Sequence, residues 1–232
     1  MSAPGPALDR PFADMRPFLE FVRDLGFAPA YVVDVGANRG RWTEMARAVF
    51  PRAEFLLIEP QPEMRAPLDA LCQRLPGVRW VECAAGAREE TRIQTIWADH
   101  EGSSFLPHPQ EDRLAAGEQR PARVRRLDDL LAEDGGRVPD LVKLDVQGFE
   151  LEALSGCPSI FGRTELFVME TSLYAFLPGL PLLREVIDFM AERDYEVYDV
   201  AGCIRRPVDA ALGQLDVAFA RRRGFLRQHD RW

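Results

Sequence analysis

The chain has 232 residues, with 37 acidic and 29 basic residues, a net charge of -8 and 47% hydrophobic residues. Such a composition can bury a core, so it excludes global disorder, and its acidic balance disfavours nucleic acid as a partner. No uncharged apolar run approaches the roughly 18 residues of a membrane span, and the first residues lack the apolar core of a signal peptide. We therefore expect one α/β domain that is cytoplasmic and makes no membrane contact.

The first half of the chain alternates between helical and strand patterns. An amphipathic helix over residues 11–25 indicates a helical cap formed by residues 1–30. Continuous apolar, β-branched runs follow, which are typical of strands buried on both faces of a parallel sheet. The predicted strands are 31–35, 55–58 and 78–83, and the predicted helices between them are 42–50 and 63–75.

The pattern changes between residues 91 and 127. A short alternating strand (92–97), a polar loop (99–121) and a second strand (123–127) indicate an insertion, either a hairpin or a lid over the sheet edge. The main alternation then resumes, so the domain is predicted to span residues 31–232. Its remaining helices are predicted at 128–133, 149–154 and 182–193, and its remaining strands at 141–144, 166–169, 195–200 and 215–220.

A glycine turn, DVGANRG at residues 34–40, separates the first strand from its helix. Glycines there let the backbone approach a ligand, and the helix N-terminus offers unpaired N–H groups. The spacing G-x-x-x-G matches neither the G-x-G-x-x-G dinucleotide fingerprint nor a P-loop. Asp34 would repel a pyrophosphate and would suit a ligand that carries an ammonium or sulfonium group. The alternative is an ordinary strand-to-helix turn.

Charged residues also stand at the ends of two other predicted strands. Glu59 comes directly after the second strand, where a carboxylate can accept both hydroxyls of a ribose, although a solvated acid is the alternative. Lys143, the only lysine of the chain, precedes Asp145 by two residues. Both side chains therefore leave the same face of the strand.

Together these segments resemble the S-adenosylmethionine-dependent class I methyltransferases. More narrowly, VKLDVQGFE at residues 142–150, followed by LSG at 154–156, is similar to the signature of the FkbM family, and the resemblance runs from about residue 31 to 200. It implies a Rossmann-like, mostly parallel seven-stranded sheet with helices on both faces. It also implies methyl transfer from S-adenosylmethionine, usually to a hydroxyl of a sugar or natural product.

The resemblance places residues 36–40 near the methionine part of the cofactor, Glu59 near the ribose, and Pro60, Gln61 and Ala84 around the adenine. The residues predicted to bind the cofactor are Asp34, Gly36, Ala37, Asn38, Gly40, Glu59, Pro60, Gln61, Ala84 and Asp145.

An alcohol that accepts a methyl group must lose its proton, which requires a base or a divalent cation. Asp145 is the leading catalytic candidate because it ends a central strand, where ligands of open α/β sheets bind. Lys143 beside it favours a structural ion pair, with a catalytic role as the alternative. Glu170 ends the next strand within reach of Asp145, so the two carboxylates could hold Mg²⁺, although no third protein ligand is evident.

Histidine and tryptophan side chains are further candidates for catalysis or ligand binding. His100 and His108 flank the serines of the inserted loop and are candidate bases, with simple solvation as the alternative. Trp42, Trp97 and Trp232 are candidates for stacking on adenine or sugar, with packing as the alternative.

The expected partner is a small-molecule, sugar or carrier-bound hydroxyl acceptor. Residues 145–148 read DVQG rather than the Asn/Asp-Pro-Pro-Tyr pattern of amino-group methyltransferases, which favours a hydroxyl. Two alternatives stay open: a catalytically silent fold that binds the cofactor or a partner protein, and an NAD-dependent oxidoreductase, which shares the sheet but requires different glycine spacing.

Overall fold

The computed structural model describes residues 10–98, 100–107 and 119–229. His108, Trp232 and most of the loop predicted over 99–121 lie outside the described residues. Within them, no helix is long and apolar enough to cross a membrane.

Ten strands and six α-helices make up the described part of the chain. The strands are β1 (Tyr31–Val35), β2 (Glu54–Ile58), β3 (Val78–Val81), β4 (Ala84–Ala85), β5 (Glu90–Thr95), β6 (Gln119–Arg125), β7 (Leu141–Leu144), β8 (Leu166–Ser172), β9 (Tyr195–Arg205) and β10 (Leu212–Arg221). The helices are α1 (Met15–Asp24), α2 (Arg41–Val49), α3 (Arg65–Arg74), α4 (Leu127–Glu133), α5 (Glu150–Ser155) and α6 (Leu183–Ala191).

Seven of the strands form the central sheet, in the order β3-β2-β1-β7-β8-β10-β9. All neighbours are parallel except β10, which is antiparallel to both β8 and β9. The predicted mostly parallel, seven-stranded sheet is therefore confirmed. The chain winds outwards from β1 in one direction and from β7 in the other, so a crevice opens between the carboxyl ends of these two strands.

Two apolar cores cover the two faces of this sheet, because the buried strands carry hydrophobic residues on both sides. Helices α1, α2 and α3 pack on one face, where α1 contributes the fully buried Phe18, Leu19 and Val22. Helices α4, α5 and α6 pack on the other face.

The stretch predicted as an insertion contains strands that form a second, three-stranded sheet in the order β4-β6-β5. β5 and β6 pair antiparallel, whereas β4 and β6 are parallel. Several boundaries differ from the prediction. β5 lies at Glu90–Thr95 rather than 92–97. β6 begins at Gln119, inside the stretch predicted as a loop, because it pairs with β5 along its length. The strand expected over 78–83 ends at Val81, because Cys83 N–H donates to the carbonyl of Val81 and the chain turns into the small sheet. Leu127, expected to end a strand, begins α4.

Three strands of the central sheet run further than the sequence pattern indicated. β8 extends to Ser172, because its polar last residues pair with β10, so Glu170 lies inside the strand rather than at its end. β9 and β10 are 11 and 10 residues long. The end of their hairpin therefore projects beyond the last paired residue of β8.

Gly36 lies where β1 and β7 approach most closely. Its φ is +78°, and a Cβ atom at this position would lie 2.0 Å from the carbonyl oxygen of Asp145. The backbone N–H of Asp145 donates to the carbonyl of Val35 at 3.1 Å, which holds the two strand ends together. A side chain at residue 36 would force them apart.

We expect Gly36→Ala to lower the free energy of unfolding by at least about 2 kcal/mol, because the methyl group adds a clash with backbone to the strain of a positive φ. Gly179→Ala is the matched control: its φ is also +78°, but no atom lies within 4 Å of a Cβ there. Urea unfolding of both variants measures the difference. Equal losses of stability would show that the close approach of β1 and β7 does not constrain residue 36.

Candidate active site

A cavity of about 400 Å³ opens at the carboxyl edge of the sheet, at the crevice between β1 and β7. Its walls come from the turns after β1, β2 and β7, from β8 and β10, and from the small sheet with the residues that follow β5. Its size is in the range of small-ligand sites. Among the cofactor-binding residues predicted from the sequence, those that line it are Gly36, Ala37, Asn38, Glu59, Pro60, Gln61, Ala84 and Asp145.

The glycine turn is fastened to β2 by its own backbone. The N–H groups of Gly36 and Ala37 both donate to the carbonyl of Ile58, at 2.9 and 3.2 Å. Asn38 has a φ of +47°, and its N–H donates to Glu59 Oε2 at 2.8 Å. The turn is thus held rigidly against the strand that carries Glu59.

Glu59 is 2% exposed, and its carboxylate also accepts the N–H of Gln61 through Oε1 at 2.9 Å. Burial raises the pKa of Glu59, while the hydrogen bonds from Gln61 and Asn38 act in the opposite direction. Each carboxylate oxygen receives one backbone donor and retains a lone pair. Both oxygens can therefore accept a hydrogen bond from a ligand in the cavity.

Two predicted cofactor contacts differ in the structure. Asp34 is fully buried and does not line the cavity; it accepts a hydrogen bond from Thr43 Oγ1 at 2.6 Å and faces Lys143. Gly40 does not line it either, since it begins α2 and packs against α3, where a Cβ would lie 2.3 Å from Leu71 Cδ2. Both residues pack behind the turn rather than on the wall of the cavity.

Lys143 is a buried cation in the wall of the cavity. Its Nζ lies 3.4 Å from Asp34 Oδ1 and 3.3 Å from Asp145 Oδ2, and it donates to the carbonyl of Gly36 at 3.1 Å. Burial alone would lower the pKa of Lys143, but the charges of Asp145 and Asp34 outweigh it and raise the pKa. Lys143 stays protonated and holds the two strand ends together, as the ion-pair interpretation of the sequence anticipated.

A row of carboxylates crosses the same face of the sheet, formed by Asp145, Glu170 and Asp216. Glu170 and Asp216 are directly opposite each other on β8 and β10. Burial, with the charges of Asp145, Glu150 and Asp216, raises the pKa of Glu170 to about 9. Burial and the charge of Asp145 raise the pKa of Asp216 to about 6. Glu170 is therefore protonated at neutral pH, whereas a base must be deprotonated.

Two side-chain amides join this row. Gln147 Nε2 donates to Asp145 Oδ1 at 2.9 Å and to Glu170 Oε2 at 2.7 Å, and Gln214 Nε2 donates to the same Glu170 oxygen at 2.8 Å. An amide donor thus lies between the two carboxylates that the sequence suggested as Mg²⁺ ligands. In the described part of the chain, no group of three or more His, Cys, Asp or Glu residues is arranged to hold a metal.

Sequence reasoning missed Gln94, a polar residue of the cavity, and considered Trp42 only for stacking. Gln94 is 3% exposed, and its Oε1 has no hydrogen-bond partner among the described residues; the same is true of Trp42 Nε1. Both residues line the cavity. A buried, unsatisfied polar atom is costly, which favours a ligand as its partner. No signal in the sequence indicated this position, because alternation in the strand would turn the apolar Ile93 inward, whereas Ile93 is 51% exposed in the structure.

His100 lines the cavity from the inserted stretch. Its carbonyl accepts hydrogen bonds from Asn38 Nδ2 at 2.8 Å and Gln61 Nε2 at 3.0 Å, and its Nδ1 lies 3.1 Å from Gln61 Oε1. These bonds connect the insertion to the turns after β1 and β2, on the Glu59 side of the cavity. Trp97 does not line the cavity.

The sheet order and the cavity at its crevice define a Rossmann-like methyltransferase fold. Among solved structures, the N-methyltransferase NodS from Bradyrhizobium japonicum WM9 has this fold, with a TM-score of 0.52 and 10% identity over 89% of this chain and 94% of that one. The model of the methyltransferase FkbM domain matches residues 34–197, more than half of the chain. The chain therefore belongs to the FkbM methyltransferase domain family.

Two curated relatives with methyltransferase names show lower coverage or identity than a close homologue would. Methyltransferase SdnD of Sordaria araneosa is 27% identical over 169 residues, which cover 60% of this chain and 65% of that protein, just under two thirds of its length. The 2-O-methyltransferase NoeI of Sinorhizobium fredii is 23% identical over 198 residues, 78% of this chain and 79% of NoeI.

The raised pKa of Glu170 predicts how stability changes with pH. Between its ordinary pKa of 4.5 and about 9, the folded state binds the proton more tightly than the unfolded state, so stability falls as pH rises through this window. We expect Glu170→Gln to reduce that fall and to be more stable than the wild type at pH 8 by at least about 1 kcal/mol.

Urea unfolding between pH 5 and 9 measures this, with the exposed Glu152→Gln as the control. The variant should still lose some stability as the pH rises, because Glu150 and Asp216 also have raised pKa values. Burial is the main cause for Glu150, whose pKa is raised to about 7. If Glu170→Gln showed the full wild-type slope, Glu170 would be ionised in the folded protein.

Proposed function

We propose that this protein is an S-adenosylmethionine-dependent O-methyltransferase that methylates a hydroxyl of a sugar, glycan or natural product. One observation carries the proposal: the carboxylate of Asp145 lies on the wall of the same cavity that the glycine turn and Glu59 form. The residues proposed for the cofactor and the proposed proton acceptor therefore share one cavity. The similarity to a 2-O-methyltransferase supports the choice of a hydroxyl.

The residues present fit the cofactor. Glu59 keeps a lone pair on each carboxylate oxygen for the two hydroxyls of the ribose. Gln94 Oε1 is an unsatisfied acceptor suited to the amino group of adenine, and Trp42 Nε1 is an unsatisfied donor suited to the cofactor's carboxylate. Gly36 brings the backbone of the turn to the cavity wall. Bound there, S-adenosylmethionine supplies an activated methyl group on a sulfonium.

Asp145 is placed to take the hydroxyl proton of the acceptor. Its Oδ2 is paired with Lys143 and its Oδ1 accepts from Gln147, so the orientation of the carboxylate is fixed before the acceptor arrives. Glu170, held protonated, can donate a hydrogen bond within the cavity while Asp145 accepts one. Such positioning is the main contribution that a protein makes to a transfer between two bound reactants.

We expect the purified protein to bind S-adenosylhomocysteine and not NAD in isothermal titration calorimetry. Gln94→Leu should weaken S-adenosylhomocysteine about 5- to 10-fold, because one hydrogen bond to the ligand is lost. Gln119→Leu, on the neighbouring strand of the small sheet, is the matched control, since Gln119 bonds to Thr95 and does not line the cavity. No binding of S-adenosylhomocysteine would contradict the proposed function, and equal effects of the two variants would remove Gln94 from the site.

Asp145→Asn should lower kcat about 10²- to 10⁴-fold, because an amide cannot accept the hydroxyl proton. The assay follows tritiated methyl groups from S-adenosylmethionine onto a panel of sugar and phenolic hydroxyls. Asp216→Asn is the control, because Asp216 belongs to the same carboxylate row but does not line the cavity. Full turnover by folded Asp145→Asn would show that another group takes the proton.

A further inference from the structure

The projecting hairpin of β9 and β10 forms one wall of a second cleft beside the active-site cavity. The connection after β8 forms the other wall, and Leu173 N–H donates to the carbonyl of Gly213 at 2.9 Å, which ties the two walls together. The cleft has a volume of about 500 Å³. The residues that line it include Tyr174, Phe176, Ile204, Arg206, Val208 and Gln214.

The surface of this cleft is largely apolar although it faces solvent. Phe176 is 52% exposed, Ile204 53% and Val208 76%, and Tyr174 is also exposed. Large apolar side chains gathered on an exposed surface indicate a binding site. The guanidinium of Arg206 lies 4.0 Å from the centre of the Tyr174 ring and pairs with Asp209, so this wall is held in place before any ligand binds.

The cleft and the active-site cavity are contiguous. Ile204 and Gln214 line both of them. Gln214 reaches Glu170 in the carboxylate row with its Nε2. A molecule whose hydroxyl lies at Asp145 therefore has a direct path for the rest of its structure past Gln214 and Ile204.

We propose that this cleft binds the apolar body of the methyl acceptor, so that the substrate class is a hydroxyl compound with an aryl or alkyl group rather than a free sugar. This inference rests on the proposed function. A free sugar would face apolar side chains that leave its hydroxyls without partners, whereas an aryl or alkyl group buries apolar area at about 25 cal/mol per Å².

The test uses octyl and methyl β-glucoside as probes, which share one sugar and differ only in the apolar group. Titration calorimetry with the complex of protein and S-adenosylhomocysteine, below the micellar concentration of the octyl compound, gives both affinities. We expect octyl glucoside to bind at least tenfold more tightly than methyl glucoside. Methyl NMR shifts of Val208 on addition of octyl glucoside report the location.

Phe176→Ser and Val208→Ser should each reduce the octyl preference at least threefold while leaving the affinity for S-adenosylhomocysteine unchanged. The controls are Phe225→Ser and Val197→Ser, which alter exposed apolar residues outside both the cavity and the cleft. They should change neither affinity.

Each contrary result is distinct. If the wild type does not bind S-adenosylhomocysteine, the proposed function itself is wrong. Normal S-adenosylhomocysteine binding with equal affinities for the two glucosides, or with no Val208 shift, overturns the cleft assignment alone. If Val208→Ser converts a dimer into a monomer in light scattering without changing octyl binding, the cleft is a self-association surface and the assignment is wrong.

Discussion

The ammonium group of Lys143 is the interaction on which the active site depends. It has three hydrogen-bonding protons and meets three oxygens, on Asp34, Asp145 and Gly36. These oxygens belong to β1, to the turn after it and to the residue after β7. This ammonium group therefore fixes the distance between the ends of β1 and β7, where the crevice opens. In a chain whose other basic side chains are arginines, this position holds the compact ammonium. A planar guanidinium would not fit three converging acceptors as well.

The acidic groups near this cation do not share one state. Asp145 is paired with Lys143 and remains accessible from the cavity. Glu170 lies opposite Asp216 on β10. Burial and the neighbouring carboxylates raise the pKa of Glu170 more than the charge of Lys143 lowers it, so Glu170 keeps its proton. Neighbouring carboxyl groups with different environments provide a hydrogen-bond acceptor and a donor in the same cavity, a common way to divide roles between acids.

The cavity is assembled from segments far apart in the sequence. The turns after β1 and β2 form the side proposed for the cofactor, and the stretch after β5 contacts them through the carbonyl of His100. The β9–β10 hairpin lies at the opposite end, next to the carboxylate row. The parallel strands thus carry the end of the cavity proposed for the cofactor, while less regular additions form the end proposed for the acceptor. Loops and extensions of this kind commonly determine specificity.

Much of the fold and part of the site follow from the sequence alone. Short, mostly apolar runs, such as residues 31–35 and 141–144, predicted the buried strands, because a strand buried on both faces carries apolar residues at consecutive positions. The strand-end rule placed Glu59 and Asp145 at one edge, and both line the cavity. The spacing of Lys143 and Asp145 indicated their ion pair.

Tertiary structure decided the rest. Asp34 points away from the cavity because α2 supplies Thr43 and β7 supplies Lys143 as partners, and no local pattern records either contact. β8 continues through the polar residues 170–172 because β10 pairs with them, which periodicity within one strand cannot reveal. Gln94 becomes a candidate ligand contact only because β5 turns it into the cavity. Local sequence sets which residues prefer burial, whereas the partner of a buried polar group depends on chain segments that are distant in sequence.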